Sequence, residues 1–232
     1  MAQPQKIKAR ISGIEEHAPG LRSLVFETER RVPRFRAGQF LHLAIDPYDP
    51  SRHWPESRCF SIVNPPEERR RIRITVSQVG RFTARVMNLE TGQDVWLKLP
   101  YGDFIVEPSG DRPIVLVAGG TGIAPFVSLF ASNQTVDAPV RVLYGARRPE
   151  LLLYSDVLEE ASKRWPDFEW FPFVEEGEYP AARKGRLDLA NAFDLGGLHA
   201  EYYLSGPPGL IDLFSKGLAA RQVSRIHVDA WG

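Results

Sequence analysis

Val117-Ala118-Gly119-Gly120-Thr121-Gly122-Ile123-Ala124-Pro125 is the stretch on which the reading of this chain turns. It ends a continuous apolar run, Ile114 to Ala118, of the kind a parallel strand shows when both its faces are covered. It also opens a helix expected from Ile123 to Ser132. At such a strand-to-helix turn glycine removes the Cβ that would keep a ligand away. The free N–H groups and positive dipole end of the helix then suit a pyrophosphate. The spacing is not the G-x-G-x-x-G of dehydrogenases. Close packing of strand on helix would select glycine too, so the turn alone leaves both readings open.

Working outward, the C-terminal half alternates buried strands with helices. Val140 to Tyr144, Phe168 to Val174, Tyr202 to Ser205 and Arg225 to Val228 read as strands. Glu150 to Trp165 reads as a helix with Tyr154, Leu158, Ala161 and Trp165 on one face, and Glu159/Lys163 and Glu160/Arg164 spaced for i,i+4 pairing. A second helix runs from Pro208 to about Arg221 with Ile211, Phe214 and Leu218 inward. Strand, helix, strand, helix means a doubly wound parallel sheet, expected over residues 109–232. Before Pro108-Ser109-Gly110-Asp111 the pattern differs. Ile7/Ala9/Ile11, Leu24/Phe26, Phe40 to Ile45, Phe60/Ile62, Ile72/Ile74/Val76 and Val95/Leu97/Leu99 are short alternating runs punctuated by Gly, Pro, Asp and Asn. They predict an antiparallel barrel or sandwich over residues 1–108, interrupted by one short helix after Phe82.

With 232 residues the chain is long enough for two ordinary cores. Twenty-nine Lys and Arg balance twenty-nine Asp and Glu, so no net positive field gathers nucleic acid or anionic lipid. One cysteine, Cys59, can form neither an internal disulfide nor a cysteine-ligated iron–sulphur cluster. The five histidines lack metal-ligand spacing, so no metal is expected. No apolar stretch approaches the ~18 residues of a membrane span, and a soluble, cytoplasmic chain is expected. The charge run Glu67 to Arg73 reads as a solvated hairpin end.

A second candidate site lies in the first half, at Arg58-Cys59-Phe60-Ser61. Strand alternation puts Arg58 and Phe60 on one face, Cys59 and Ser61 on the other. An Arg fork can hold a phosphate, an aromatic can cover a flat ring and a Ser can bond its polar edge, although an Arg–aromatic pair on a strand is commonly surface packing.

Taken together, in this order, the motifs resemble the ferredoxin-NADP reductase superfamily. Gly38-Gln39-Phe40 is similar to its G-Q-[FY], and Arg58-Cys59-Phe60-Ser61 to its flavin-binding R-x-[YF]-[ST]. Gly80-Arg81-Phe82-Thr83 resembles the flavin-phosphate turn, and Leu99 to Phe104 the G-P-x-G-x-F segment. Gly119 to Pro125 resembles the pyridine-nucleotide loop, Tyr144 to Arg147 the next strand end, and Tyr203 to Gly209 the Y-x-C-G-P-P-G segment. Asp229-Ala230-Trp231 resembles the terminal acid and aromatic.

The resemblance implies a flavin-binding barrel followed by an NAD(P)-binding domain. It further implies FAD (or FMN) as cofactor and NADPH or NADH as hydride donor. Arg58 would neutralise flavin phosphate, Phe60 cover the ring, Ser61 donate to its N5 atom, and Thr83 bind phosphate through its hydroxyl and backbone. Cys59, Val76, Gly80 and Phe82 would complete the flavin site. Gly119, Gly120, Thr121, Gly122, Ile123, Ala124, Pro125, Gly145, Gly206, Pro207 and Pro208 would hold the nicotinamide coenzyme. Ser61, Thr121, Ser205 and Trp231 would flank the hydride path, with Trp231 stacking where nicotinamide enters. Arg147 and Arg148, with Arg183, Lys184 and Arg186, lean towards a 2'-phosphate and hence NADPH. Three positions depart from the pattern: Ser205 stands for a common cysteine, Phe60 for tyrosine and Arg81 for glycine. The function implied is hydride transfer from NAD(P)H to flavin, with electrons leaving singly to a ferredoxin or another iron–sulphur or haem protein. The alternatives are an NAD(P)H:flavin oxidoreductase with dissociable flavin and a non-catalytic nucleotide-binding module.

Overall fold

The structure is a computed structural model describing residues 3–107 and 110–229. The chain divides into two compact units, Met1–Ile105 with Ala124–Ser132, and Val106–Ile123 with Asn133–Gly232.

The first unit is an antiparallel half-barrel. Its strands are β1 (Gln5–Ala18), β2 (Leu21–Glu27), β3 (Phe40–Ala44), β4 (Ser57–Ser61), β5 (Arg71–Ser77) and β6 (Asp94–Tyr101). They lie in the order β4-β3-β6-β1-β2-β5, and the Val63 N–H donates to Arg73 O across the open ends at 2.9 Å. Alternation is the cause of this layer. Ile72, Ile74 and Val76 are fully buried while Arg71 is exposed, so each strand contributes one apolar face to a core with Ile11, Leu24, Phe26, Leu41 and Leu97. Each such side chain contributes roughly 1.5–3 kcal/mol of transfer free energy. Helix α1 (Arg81–Val86) follows β5. At the end of this helix Arg22 Nη1 donates to Val86 O at 3.4 Å, which also accepts from the Leu89 N–H at 3.2 Å, and to Leu89 O at 3.3 Å. Helix α2 (Ala124–Phe130) is buried along its whole length and belongs to this unit. Its Ser128 Oγ donates to Asn64 O at 2.8 Å, and its Phe126 ring lies 5.6 Å from Phe104.

The second unit is a six-stranded parallel sheet. Strands β7 (Ile114–Gly119), β8 (Val140–Ala146), β9 (Phe168–Val174), β10 (Arg183–Lys184), β11 (Glu201–Ser205) and β12 (Ile226–Asp229) lie in the order β10-β9-β8-β7-β11-β12. Every residue of β7 and β11 is buried, which explains the unbroken apolar character of β7. Chain order reverses between β7 and β11, and in such sheets ligands bind outside the carboxyl ends at that point. Helices α3 (Ser155–Arg164), α4 (Leu189–Gly196) and α5 (Pro208–Ala220) complete the unit.

Several elements depart from the sequence reading, among them the short strand β10, which it did not expect. The expected helix at Ile123 begins as a 3₁₀ turn, Gly120–Ile123, before α2 takes over. The helix expected from Glu150 starts only at Ser155, because Tyr154 is left-handed at φ 61°. The segment before it buries the adjacent Leu152 and Leu153 together, which one face of a helix cannot do as well. Helix α4 has no counterpart in the sequence reading; Asp188 caps it, accepting from the Ala190 N–H at 3.0 Å. No helix among the described residues is long and apolar enough to cross a membrane.

Candidate functional site

In the first unit the register of β4 against β3 places Leu41 opposite Phe60 and Leu43 opposite Arg58. Phe60 is therefore half-buried against the core cluster, while Arg58 reaches past it into solvent. The Arg58 guanidinium lies 5.3 Å from the Phe82 ring at the start of α1, and its Nη2 is 3.0 Å from Glu56 Oε1. Both partners of that ion pair are about half exposed, so the guanidinium keeps open directions. A Cβ built at Gly80 meets nothing within 4 Å. Arg58, Phe60, Phe82, Gly80 and the first turn of α1 are thus brought together. The donor set, one accessible guanidinium beside helix-start N–H groups, fits a phosphate, and the half-buried ring beside it fits a flat aromatic group.

Four other expected residues stand differently. The Thr83 hydroxyl accepts from the Val79 and Gly80 N–H groups at 2.9 and 3.0 Å and donates to Gly80 O at 3.0 Å. It shapes the turn, leaving the backbone to meet an anion. Val76 is fully buried in the core. Cys59 turns to the opposite face, with Sγ 3.6 Å from His42 Nε2. Ser61 is on that same face at the strand end, opposite Phe40, and only 8% exposed. Burial first, and then the Lys98 charge, lower the His42 pKa below its ordinary value.

In the second unit the glycines of the turn differ in what surrounds them. A Cβ on Gly122 would lie 2.3 Å from Ser205 O and 2.7 Å from Gly206 Cα, so this glycine is dictated by backbone meeting backbone. Gly120 is different. It has φ 54° and nothing within 4 Å of its Cβ position, which makes it the open glycine at the switch point, suited to a pyrophosphate. Gly119 sits against Pro207 and Leu210, and Gly145 against Leu187. A Cβ on Gly206, at φ 151°, would lie about 3.1 Å from the Gly119 backbone. Pro208 opens α5, where a missing N–H costs nothing. Thr121 is half-buried on the turn, Ile123 is fully buried, and Ala124 and Pro125 open α2. Ser205 is 1% exposed, and its Oγ donates to the buried Asp229 Oδ2 at 3.1 Å. Trp231 lies outside the described residues.

Three of the basic residues expected to meet a 2'-phosphate are held by carboxylates. Arg147 Nη2 is 3.0 Å from Glu176 Oε1, Arg148 Nε 3.1 Å from Glu150 Oε1 and Arg186 Nε 2.9 Å from Glu175 Oε2. Arg183 donates to Asn191. Glu175 and Glu176 were missed from sequence; their position directly after β9, beside the end of β8, is the signal that could have found them.

The half-barrel with its arginine and the switch-point sheet with its open glycine each offer one candidate phosphate site. Residues 116–216 match the oxidoreductase NAD-binding domain family. Reductase component 1 of terephthalate 1,2-dioxygenase from Comamonas sp. is 34% identical over 185 residues, covering 77% of this chain and 53% of that protein. Among solved structures, the Amycolatopsis cytochrome P450 reductase GcoB superposes with a TM-score of 0.82 at 24% identity, over 99% of this chain and 70% of the other. A ferredoxin NADP+ reductase from Neisseria gonorrhoeae, with bound FAD and NADP, gives a TM-score of 0.77 at 20% identity over 99% of both chains. Those two likenesses are of fold. The chain thus carries an oxidoreductase NAD-binding domain, and its fold is that of the ferredoxin NADP+ reductase type. It spans about half the length of the first curated relatives it matches.

Proposed function

We propose that this chain is the cytoplasmic flavin- and NAD(P)-binding part of an electron-transfer system. It takes a hydride from NAD(P)H onto FAD and passes electrons singly to a separate iron–sulphur or haem protein, such as the ferredoxin or oxygenase component that reductase components serve. Residues 1–108 form the flavin part and 109–232 the coenzyme part. The observation that carries the reading is one phosphate cradle per unit: Arg58 over Phe82 beside α1, and Gly120 at the reversal of strand order. Bound flavin supplies the conversion of a two-electron donor into one-electron steps. The residues of this chain supply binding and orientation. Arg58 neutralises phosphate, Phe60 offers a flat half-buried surface, and Gly120 lets backbone approach the coenzyme. Ser205, fixed by Asp229, holds a hydroxyl at the carboxyl edge of the sheet. A lone cysteine gives the chain no iron–sulphur cluster of its own, so the acceptor is a second molecule or domain.

A second reading, an NAD(P)H:flavin oxidoreductase with exchangeable flavin, is favoured by the Glu56 carboxylate on Arg58 and by the internal use of the Thr83 hydroxyl. Both weaken the phosphate grip. Anaerobic addition of NADH or NADPH to purified protein supplied with FAD tests the main reading. Loss of flavin absorbance within seconds is the expected result, with the flavin staying on the protein through gel filtration. Flavin that is reduced but elutes free selects the second reading. No absorbance change with either coenzyme refutes both.

A further inference from the structure

The chain is neutral overall, yet its arginines are unevenly paired. Arg22, Arg58, Arg85, Arg141, Arg147 and Arg186 each hold a carboxylate. Arg30, Arg31, Arg34, Arg70 and Arg71 are all exposed, and among the described residues none has a carboxylate within 4.0 Å. These five are concentrated at one end of the half-barrel, where residues 27–36 and 67–73 together carry eight arginines and four glutamates. The run that reads in sequence as a solvated hairpin end is half of this patch.

The two segments are held as one platform. Val32 N–H donates to Arg69 O at 2.7 Å, and Thr28 N–H donates to Arg70 O at 3.0 Å. The Arg69 Nε and Nη2 both donate to Val32 O, at 2.9 and 2.6 Å. Val32 and Phe35 are anchored in the barrel core. Arg69 is thus spent on structure, and its neighbours are fixed at the backbone with their charges in solvent. Beside them lies a concavity of 320 Å³ lined by Arg31, Glu67, Glu68, Arg69, Arg70 and Arg71. Leaving five like charges unpaired at one end costs self-repulsion that paired arginines elsewhere avoid, which an opposite field from a partner would relieve.

We propose that this patch docks the carboxylate-rich face of a protein partner. Interleaved Glu29, Glu67 and Glu68 argue against a phosphate polymer, since they would stand against a uniformly anionic lattice. They suit a protein face of mixed charge with carboxylates in excess. The patch depends on the reductase reading only for the role of its partner as electron acceptor.

The test uses the FAD-loaded full chain with an acidic [2Fe–2S] ferredoxin as probe and menadione as a small neutral acceptor. The variants are Arg31→Glu/Arg70→Glu/Arg71→Glu and the charge-conserving triple Arg-to-Lys change. Charge reversal raises the ferredoxin KM about tenfold and flattens its salt dependence, while menadione turnover is unchanged and the Lys variant stays within about twofold of the parent. Unchanged ferredoxin KM alongside normal menadione turnover overturns the proposal. So does a 20-base-pair duplex DNA that binds the parent more tightly than the ferredoxin at equal salt. If the parent reduces neither acceptor, the reductase reading fails, and docking is then decided by ferredoxin binding followed by calorimetry: loss on charge reversal supports it, and no binding or no change overturns it.

Discussion

Replacing Gly122 and Gly120 separately by alanine should separate packing from ligand approach in the glycine turn. At Gly122 the new methyl would stand 2.3 Å from Ser205 O and 2.5 Å from Ser205 C. Ordinary contact begins near 3.4 Å, so the β7 turn and the end of β11 must part by about 1 Å. Both are backbone, and Ser205 is 1% exposed, so no side-chain rotation relieves the overlap. Overpacking of this kind costs about 3 kcal/mol. At Gly120 the methyl enters open space, and the cost is that of holding alanine at φ 54°, about 1 kcal/mol. The difference of about 2 kcal/mol corresponds to roughly a 30-fold faster amide exchange in β11 of Gly122→Ala than of Gly120→Ala. Hydrogen exchange read by mass spectrometry on a peptide spanning residues 201–205 measures it. Gly120→Ala should in turn lose more affinity for 5'-ADP, because its backbone is the one open to a pyrophosphate. Equal exchange in the two variants, or faster exchange in Gly120→Ala, would refute the assignment of packing to one glycine and approach to the other.

Other outcomes follow from individual contacts. Glu176→Gln releases Arg147 and should raise affinity for 2',5'-ADP about fivefold relative to 5'-ADP in calorimetry; an unchanged ratio means the ion pair does not govern coenzyme choice. Ser205→Ala leaves the buried Asp229 without one of its donors and should cost about 1–3 kcal/mol in urea unfolding followed at β11; a loss well under that range would show that the hydroxyl is replaceable. Burial and Lys98 depress the His42 pKa, so the folded state favours neutral imidazole. Its contribution to stability is therefore complete above the ordinary value near 6.5 and is lost as the pH falls through the depressed folded pKa. The urea midpoint of the parent should drop between pH 7.5 and 5 by more than that of His42→Phe, and parallel drops would rule His42 out as a source.

Most of the fold could be read from residue patterns because both of its units rest on periodicity. Alternation in Ile72-Arg73-Ile74-Thr75-Val76 and the unbroken Ile114 to Ala118 carry their layer assignments within five residues each. Where neighbouring residues compete, pattern was not enough. Leu151-Leu152-Leu153 extends the apolar count of an amphipathic helix, but two adjacent leucines are buried together and Tyr154 turns left-handed, so the helix starts late. Helix α4 escaped notice since its apolar face is short; the Asp188 cap and the Gly196-Gly197 stop were its readable marks. At the candidate site the residue types and strand faces were legible, whereas the partners were not. That Thr83 spends its hydroxyl on its own turn, or that Gly122 meets the Ser205 carbonyl from 83 residues away, depends on tertiary approach.

Charge is the property for which the difference matters most. The arginines after β8 and around β10 look from sequence like a phosphate site, and those after β4 look like idle surface. Pairing reverses the weights. β8, β9 and β10 are parallel neighbours, so the carboxyl ends of β8 and β9 bring Arg147 to Glu176 and those of β9 and β10 bring Arg186 to Glu175, and that edge is close to neutral. At the end of the half-barrel, by contrast, the hydrogen bonds from Val32 and Thr28 to the backbone of Arg69 and Arg70 join two arginine-rich segments that are about 40 residues apart in sequence, with no matching set of carboxylates. Field strength follows what lies within a Debye length, about 8 Å at physiological salt, and that distance is set by strand order and turn contacts. The uneven pairing of arginines in this neutral chain is therefore a product of its topology, and the arginines without a carboxylate partner gather at the barrel end while those along the coenzyme edge are mostly paired.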